Sequence, residues 1–411
     1  MENILNKYIF FFYKCYNNKG VAMKKGFIFL LLILMLSGCK KEITPEDSLN
    51  VLMPNTTVFE YGDLVKLNDI FDNENITFKD DYLDLSILGD NEIDIEYTSN
   101  DNLYKEKFKY QVVDTTAPLI WVSSSYSITV GDTTDLLEKI ICADNYDKKP
   151  NCYIEGNYNA NKKGNYNLKF IATDSNGNTE EAKFTLTVKD KETKNNNSNN
   201  ERIDIKDVIS QYKNDNTLIG IDVSLYQGDI DWKKVKDSGV EFAMIRLGLG
   251  WEDVLKLDEY FLKNIKGALD NDIKVGIYFY SYAQNEKEAI YQANYVIDTI
   301  KDYNVTMPIA FDWENFKRWY EFDINLTDLR KITYAFQDTI LNAGYTPVQY
   351  GSRSYLNAFW APMKYDTWLA LYYDEVHYDG DYIMWQRCAT GIVDGIKGNV
   401  DIDIYYKEKV Q

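Results

Sequence analysis

Asp312 and Glu314 stand two positions apart in "IAFDWENF", on either side of Trp313 and inside a run of large apolar residues. On an extended strand, residues i and i+2 point to the same face, with Cα atoms about 6.5–7 Å apart. Their carboxyl groups can then approach to roughly 5 Å, near the spacing used by retaining glycosidases. Two acids that close in a partly apolar setting do not both ionise cheaply, so one keeps its proton toward neutral pH. The pair has the makings of a general acid beside an ionised carboxylate. Other chemistries have less to draw on. The chain has one histidine, His377, and it sits in the polar loop "DEVHYDG", where a surface position is expected. That leaves little material for Ser-His-Asp or Cys-His catalysis, or for His-rich zinc sites. Cys388, in the strand-like "YIMWQRC", lacks a basic neighbour that would lower its pKa and reads as a core thiol. No Gly-rich phosphate loop is present, so neither a cofactor nor a metal is expected.

The acids need elements to position them. From Leu218 onward, short apolar runs alternate with helical patterns: "LIGIDVS", "FAMIRLG", "KVGIYFYSY", "MPIAFDWE", "TPVQYGS", "TWLALYY", "YIMWQR" and "VDIDIYY". Ala289, Ala293, Val296 and Ile300 fall at helical spacing between the third and fourth runs. A second helix, capped near Thr327 and stopped at Gly344, is predicted between the fourth and fifth. Eight strands with intervening helices, few of them near the end, predict a C-terminal α/β barrel over residues 215–411. Alternation along the strands places Ala310, Asp312 and Glu314 on one face and Phe311 and Trp313 on the other. By the same rule Gly220, Asp222 and Ser224 share a face, as do Gly276, Tyr278, Tyr280 and Tyr282, then Trp368, Ala370 and Tyr372, and lastly Asp401 and Asp403. Several strands thus deliver acids or aromatics to the end of a barrel where active residues gather.

The stretches "GIDVSLYQGDIDWKKVKDSGVEFAMIRLG", "GIYFYSYA", "PIAFDWEN", "TWLALYY" and "MWQ", with the closing "VDGIKGNVDID", together resemble the lysozymes of glycoside hydrolase family 25, the N-acetylmuramidases. The resemblance runs from about Leu218 to Tyr406. It implies a flattened eight-stranded barrel with few helices, and cleavage of the β-1,4 bond after N-acetylmuramic acid in peptidoglycan glycan strands. It also implies that Glu314 is the general acid, that Asp312 stabilises developing positive charge, and that Asp222 and Asp401 orient the two. Tyr278, Tyr280 and Trp368 match positions that line the family's sugar groove; Tyr372 and Trp385 are expected there with them. Phe279 stands where the family often has His, on the face turned away from the mouth. Two rival readings stay open: a wall-binding or adhesion lipoprotein without turnover, and a barrel glycosidase acting on another amino-sugar polymer.

The 411-residue chain is long enough for several domains. From Met23, "MKKGFIFLLLILMLSGC" has two lysines, an apolar run too short for a comfortable membrane span, and "LSGC", which resembles a bacterial lipobox. Residues 1–38 are therefore expected to be a leader and signal peptide, and Cys39 a lipidated membrane anchor on an extracytoplasmic protein. Residues 39–113 and 114–190 show short alternating strands and Gly, Asn and Asp turns. The second opens with "DTTAPLI" and contains "ATDSNGN", as in bacterial immunoglobulin-like repeats. Two all-β immunoglobulin-like sandwiches are expected, the first a divergent copy. Cys142 and Cys152 are spaced for a disulfide across a short loop, and residues 191–214 form a polar linker. The net charge of −19 argues against a nucleic-acid partner. Oligomeric state is not legible in the sequence.

Overall fold

The computed structural model describes residues 46–47, 54–71, 76–99, 101–123, 125–190, 202–314, 316, 319, 321–360 and 363–409. The signal-peptide and Cys39 readings lie outside these residues, as do positions 191–201 of the expected linker.

The eight apolar runs form eight strands: β1 (Thr217–Val223), β2 (Phe242–Trp251), β3 (Lys274–Ser281), β4 (Val305–Asp312), β5 (Pro347–Ser352), β6 (Thr367–Ala370), β7 (Met384–Ile392) and β8 (Val400–Tyr406). Strands β1 to β7 pair in sequence order, each parallel to the next. β8 runs antiparallel to both β1 and β7 and closes the ring. Parallel neighbours need crossovers, and the helices that supply the first four are Trp232–Asp237, Phe261–Asp270, Glu286–Ile300 and Leu326–Asn342, with a short helical segment over 353–360 in the fifth. Residues 371–383, between β6 and β7, carry no helix, which is what the short spacing of the last runs predicts.

Strands buried on both faces separate two apolar layers. Leu218, Phe242, Met244, Ala310, Val348, Trp368 and Met384 fill the barrel interior. Ile219, Ile221, Phe279, Phe311 and Trp313 belong to the outer layer under the helices. Ala289, Ala293, Val296 and Ile300 are the buried stripe of the Glu286–Ile300 helix, as their spacing requires. The Leu326–Asn342 helix begins two residues earlier than a cap at Thr327 would place it. Asn325, not Thr327, is its cap: the Asn325 side chain accepts from Asp328 N at 2.7 Å, and Asp328 returns a bond to Asn325 N. Gly344 ends the helix at φ +88°.

Part of the expected linker is structured. Residues 205–212 form a helix capped by Asp204, with Ile205 and Val208 buried against the barrel. Lys206, Asp207, Ser210 and Gln211 face outward and account for the polar texture.

Residues 54–113 with 46–47 form one five-stranded sheet, in which Gly89–Ser99 and Asn102–Val113 are the long central hairpin. A second sheet was expected, but none is present among the described residues. Leu67, Ile70, Leu83 and Leu85 cover the core instead, from a helical turn and a loop in which Leu83 and Leu85 alternate with exposed Asp84 yet belong to no strand. Residues 114–190 hold a four-stranded sheet and a separate ribbon, Leu119–Trp121 paired with Ile141–Ala143. Cys142 and Cys152 are joined by a disulfide. The ribbon alternates in both strands. Ile120 and Cys142 face their own unit's core, while Leu119, Trp121, Ile141 and Ala143 pack against the barrel's outer layer.

Gly276, on the inner face of β3, is one of the closely packed points inside the barrel. A Cβ there would lie 2.4 Å from Met244 Sδ and 2.8 Å from the Pro308 carbonyl oxygen. The sulfur can move but the neighbouring strand's backbone cannot, so Gly276→Ala should destabilise the fold by about 1–3 kcal/mol. Urea unfolding checks this; an unchanged midpoint and slope would contradict it.

Candidate active site

β4 carries the two acids to the barrel mouth, and Trp313 fixes their direction. Its indole points outward and donates from Nε1 to the Ala283 carbonyl at 3.1 Å. Phe316, Trp319, Phe322 and Trp360 surround the ring at centroid distances of 5.0 to 6.4 Å. With Trp313 held in this cage, alternation turns Asp312 and Glu314 to the opposite side, into a cavity of about 220 Å³. Asp222, Tyr278, Tyr280, Trp368, Tyr372 and Asp401 line the same cavity.

Trp385 does not. Met384 and Gln386 take the inner positions of β7, so Trp385 falls in the outer layer. There its Nε1 donates to the Leu371 carbonyl at 2.7 Å and its ring meets Tyr212 edge-on at 5.3 Å.

Gln386, Arg246, Tyr350 and Tyr226 line the cavity without having been named as site residues; Ser224, on the expected face with Asp222, and Gln227 line it as well. For the first three, the signal was present in the same alternation: Gln386 follows Met384, Arg246 follows Met244 and Tyr350 follows Val348, each two residues along an inner face. Asp403, already seen to share the face of Asp401, lies directly beneath. Its Oδ1 accepts from Trp368 Nε1 at 2.8 Å.

Hydrogen bonds tie these groups into one network. Gln386 donates from Nε2 to Asp222 Oδ2 at 2.8 Å, and its Oε1 accepts from the hydroxyls of Tyr350 (3.0 Å) and Tyr372 (2.8 Å). The amide orientation is thereby determined from both ends. Arg246 is held by Asp258 through two bonds, at 2.8 Å from Nε and 2.7 Å from Nη2. Asp258 also accepts from the backbone N–H groups of Leu225 and Tyr260, so the guanidinium has a rigid anchor.

Burial dominates the electrostatics. It pushes the Asp312 carboxyl well above the ordinary range; the charge of Glu314 pushes the same way and Arg246 opposes them. One Asp312 oxygen, Oδ1, has no hydrogen-bond partner among the described residues. Burial likewise raises Glu314. Asp222 and Asp403 are both driven up by burial and then by the charge of Asp401. The Asp222 carboxyl, once protonated, donates to Asp403, which favours the proton on Asp222. Asp401 itself is raised to about 6 by burial. Tyr278, Tyr280, Tyr350 and Tyr372 are all raised by burial, so their phenols stay neutral donors. The mouth therefore combines carboxyls that retain protons with aromatic faces. Tyr226 and Tyr372 stand exposed at its rim. It can donate a proton to a bound leaving group and hold a flat, hydroxyl-rich ligand by stacking and hydrogen bonds.

Residues 221–396 match the family model described as glycosyl hydrolases family 25. The chain is 29% identical over 200 residues to the uncharacterized protein YegX of Escherichia coli O157:H7, covering 46% of this chain and 70% of that protein. It is 28% identical over 189 residues to the autolytic lysozyme of Clostridium acetobutylicum, covering 45% of this chain and 54% of that one. Among solved structures, the modular autolysin LytC of Streptococcus pneumoniae aligns with a TM-score of 0.42 at 27% identity, over 58% of this chain and 56% of that chain. The match thus spans about half the length of the lysozyme and of the autolysin. The C-terminal unit is a glycoside hydrolase domain.

Raised carboxyl pKa values make a definite prediction for stability. Asp222 has a folded-state value above its unfolded one, so it favours folding fully at acid pH and loses that contribution as pH rises through the folded value. Asn at this position keeps both bonds, accepting from Gln386 and donating to Asp403, without a charge to bury. Asp222→Asn should unfold at a higher temperature than the parent near pH 8, with the gap closing toward pH 4. Thermal scans across that range test it, and parallel pH profiles for the two proteins would count against it.

Proposed function

We propose that this protein is a peptidoglycan hydrolase of the N-acetylmuramidase type, cleaving the β-1,4 bond between N-acetylmuramic acid and N-acetylglucosamine. The observation that carries this reading is the joint opening of Asp312 and Glu314 into one aromatic-walled cavity, where burial raises the Glu314 carboxyl above its ordinary range. The match to the family 25 model and the likeness to an autolytic lysozyme support the choice of glycan.

Glu314 protonates the glycosidic oxygen as the bond to the anomeric carbon breaks. Asp312 faces the positive charge that develops on the sugar. Asp222 and Asp401 orient this pair, Asp222 through Gln386, which ties it to Tyr350 and Tyr372. Tyr278, Tyr280, Trp368 and Tyr372 hold the sugar rings. A chain of net charge −19 gains nothing by long-range attraction to an anionic wall, so selectivity comes from these contacts. The N-terminal β units, immunoglobulin-like in sequence, act as spacers. Lipid on Cys39 holds the whole at the outer face of the bacterial membrane.

Glu314→Gln should lower the release of reducing ends from purified peptidoglycan by about 10²-fold or more while leaving unfolding cooperative. Activity of the parent should fall as pH rises through the elevated Glu314 value, because the acid must be protonated to act. Full activity in the variant would refute the assignment. Mass analysis of the released muropeptides identifies the new reducing sugar. N-acetylmuramic acid is expected; chitin cleavage with no such product, or wall binding with no reducing ends, would favour the rival readings. Cys39→Ser should move the chain from the membrane fraction to the soluble one; unchanged membrane retention would exclude lipid at this position.

A further inference from the structure

Away from the barrel mouth, the seam between the two N-terminal β units gathers carboxylates that nothing in the catalytic cavity explains. Asp114 opens the second unit just past the last strand of the first, while Asp144, Asn145 and Asp174 come from turns of the second. Glu60 reaches over from the first sheet, where Asn145 Nδ2 donates to its Oε1 at 3.3 Å and to the Tyr61 carbonyl at 3.2 Å.

Three buried oxygens here lack a hydrogen-bond partner among the described residues: Asp114 Oδ1, Asp144 Oδ1 and Asn145 Oδ1. Their residues are 9%, 1% and 7% exposed, so water does not substitute freely. The orientation of Asn145 is determined by its two donated bonds, so its free atom is the carbonyl oxygen. The other oxygens of the cluster are taken. Asp114 Oδ2 accepts from Asn176 at 2.6 Å, Asp144 Oδ2 accepts from the N–H groups of Tyr146 and Asp147, and Asp174 binds Asn178. Glu60 accepts from Thr115 and Thr116.

The charges are uncompensated. Asp144 is raised to about 6, by burial first and then by the charges of Asp114 and Asp174, against the pull of its two N–H donors. Burial raises Asp114 as well, with Asp174 and Glu60 adding to it against the amides of Asn176 and Asn145. The neighbouring lysines are engaged elsewhere, Lys148 with Asp328 and Lys149 with Asp323. Buried carboxylates without partners are costly unless a cation joins them.

We propose that this seam binds one calcium ion, with Asp114, Asp144 and the Asn145 side-chain carbonyl as its protein ligands. Every free donor is a hard oxygen, which selects Ca²⁺ or Mg²⁺ over softer metals. Among the described residues no three acidic, His or Cys side chains stand together as a ready ligand set. The ion therefore draws on an amide oxygen and water beside two carboxylates, while Asp174 and Glu60 contribute charge from outside the shell. Donors from two separate loop segments in an irregular array suit the adaptable coordination of Ca²⁺ rather than the strict octahedron of Mg²⁺. The ion would fix the entry of the second unit to its Asp144–Asn145 turn, the turn that Asn145 ties to Glu60 and Tyr61 of the first unit. It would also stiffen the turn whose Asp144 and Tyr146 carbonyls accept from Leu326 N (2.8 Å) and Asn325 Nδ2 (2.6 Å) on the barrel.

The full chain, stripped of divalent ions with a chelator, is titrated with CaCl₂ by calorimetry and by thermal unfolding. One ion per chain is expected, with half-saturation at about 0.1–1 mM, the range of extracellular modules, and a rise in unfolding temperature. Asp114→Asn should abolish that rise, yet unfold higher than the parent in chelator because one buried charge is gone. Asp174→Asn, outside the shell, should keep the stoichiometry. No heat and no shift in the parent well above that range would overturn the proposal. So would an equal response to MgCl₂, or an undiminished calcium shift in Asp114→Asn; if that variant fails to fold, the parent titration decides.

Discussion

Five carboxyl groups, those of Asp222, Asp312, Glu314, Asp401 and Asp403, are withdrawn from water at one end of a barrel, and burial raises every one of them. Arg246 is the one guanidinium among the cavity's lining residues, and Asp258 already claims it. What remains to satisfy the acids is neutral: the amide of Gln386, the indole of Trp368 and the phenols behind them. Neutral donors occupy lone pairs without cancelling charge, so the cluster relieves itself by keeping protons. A site built in this way holds an acid at a pH where a free carboxylic acid would have lost its proton, which is what protonating a leaving group requires.

Such an arrangement works only if the acids cannot turn away from one another, and the barrel supplies that rigidity in two layers. Inside, Gly220 and Gly276 let Phe242 and Met244 press directly on neighbouring strands. Outside, Trp313 is clamped by four aromatic rings. The clamp sits between the two acids in sequence and behind them in space. Alternation then becomes a positioning device, because a strand whose odd residue is caged outward has no freedom in where its even residues point. Antiparallel β8 completes the ring and brings Asp401 opposite Asp222, the Cα partners of the β8–β1 pairing.

Much of this was legible because period-two alternation survives burial. Each of the eight strands appears where an apolar run stands, and the inward sets of β1, β3, β4 and β6 follow from counting by twos. Trp385 was misplaced because an aromatic in the motif "MWQ" drew attention from the parity of its position; the count itself puts Met384 and Gln386 inside. Gln386, Arg246 and Tyr350 lay on the correct faces but carry no spacing signature of their own, since their roles arise from partners on other strands. The helix at 205–212 was hidden by its polar outer face, its buried side being only Ile205 and Val208. The single sheet of the first unit escaped notice for the opposite reason. Leu83 and Leu85 close its core from a stretch that alternates as a strand does but joins no ladder, and alternation alone does not distinguish the two.

The second β unit bears on the same constraint. Between Glu314 and Asn325 the chain leaves the sheet and must return to start a helix. One end of this excursion is held by the Trp313 cage. At the other, Asn325 caps the helix and donates to the Tyr146 carbonyl, while Leu326 donates to that of Asp144. Trp121 meets Tyr355 at 5.0 Å, and Tyr355 in turn stacks on Phe316 of the cage at 4.1 Å. The ribbon that carries Trp121 has one face in its own core and the other on the barrel. Part of the wall behind β4 therefore comes from a unit some 170 residues earlier in the chain (Asp144 against Glu314). A unit that only extended the enzyme's reach would need neither the ribbon's second apolar face nor the carbonyls offered to the helix start. Their presence makes the second β unit, besides any spacing role, part of what backs the Trp313 cage behind Asp312 and Glu314.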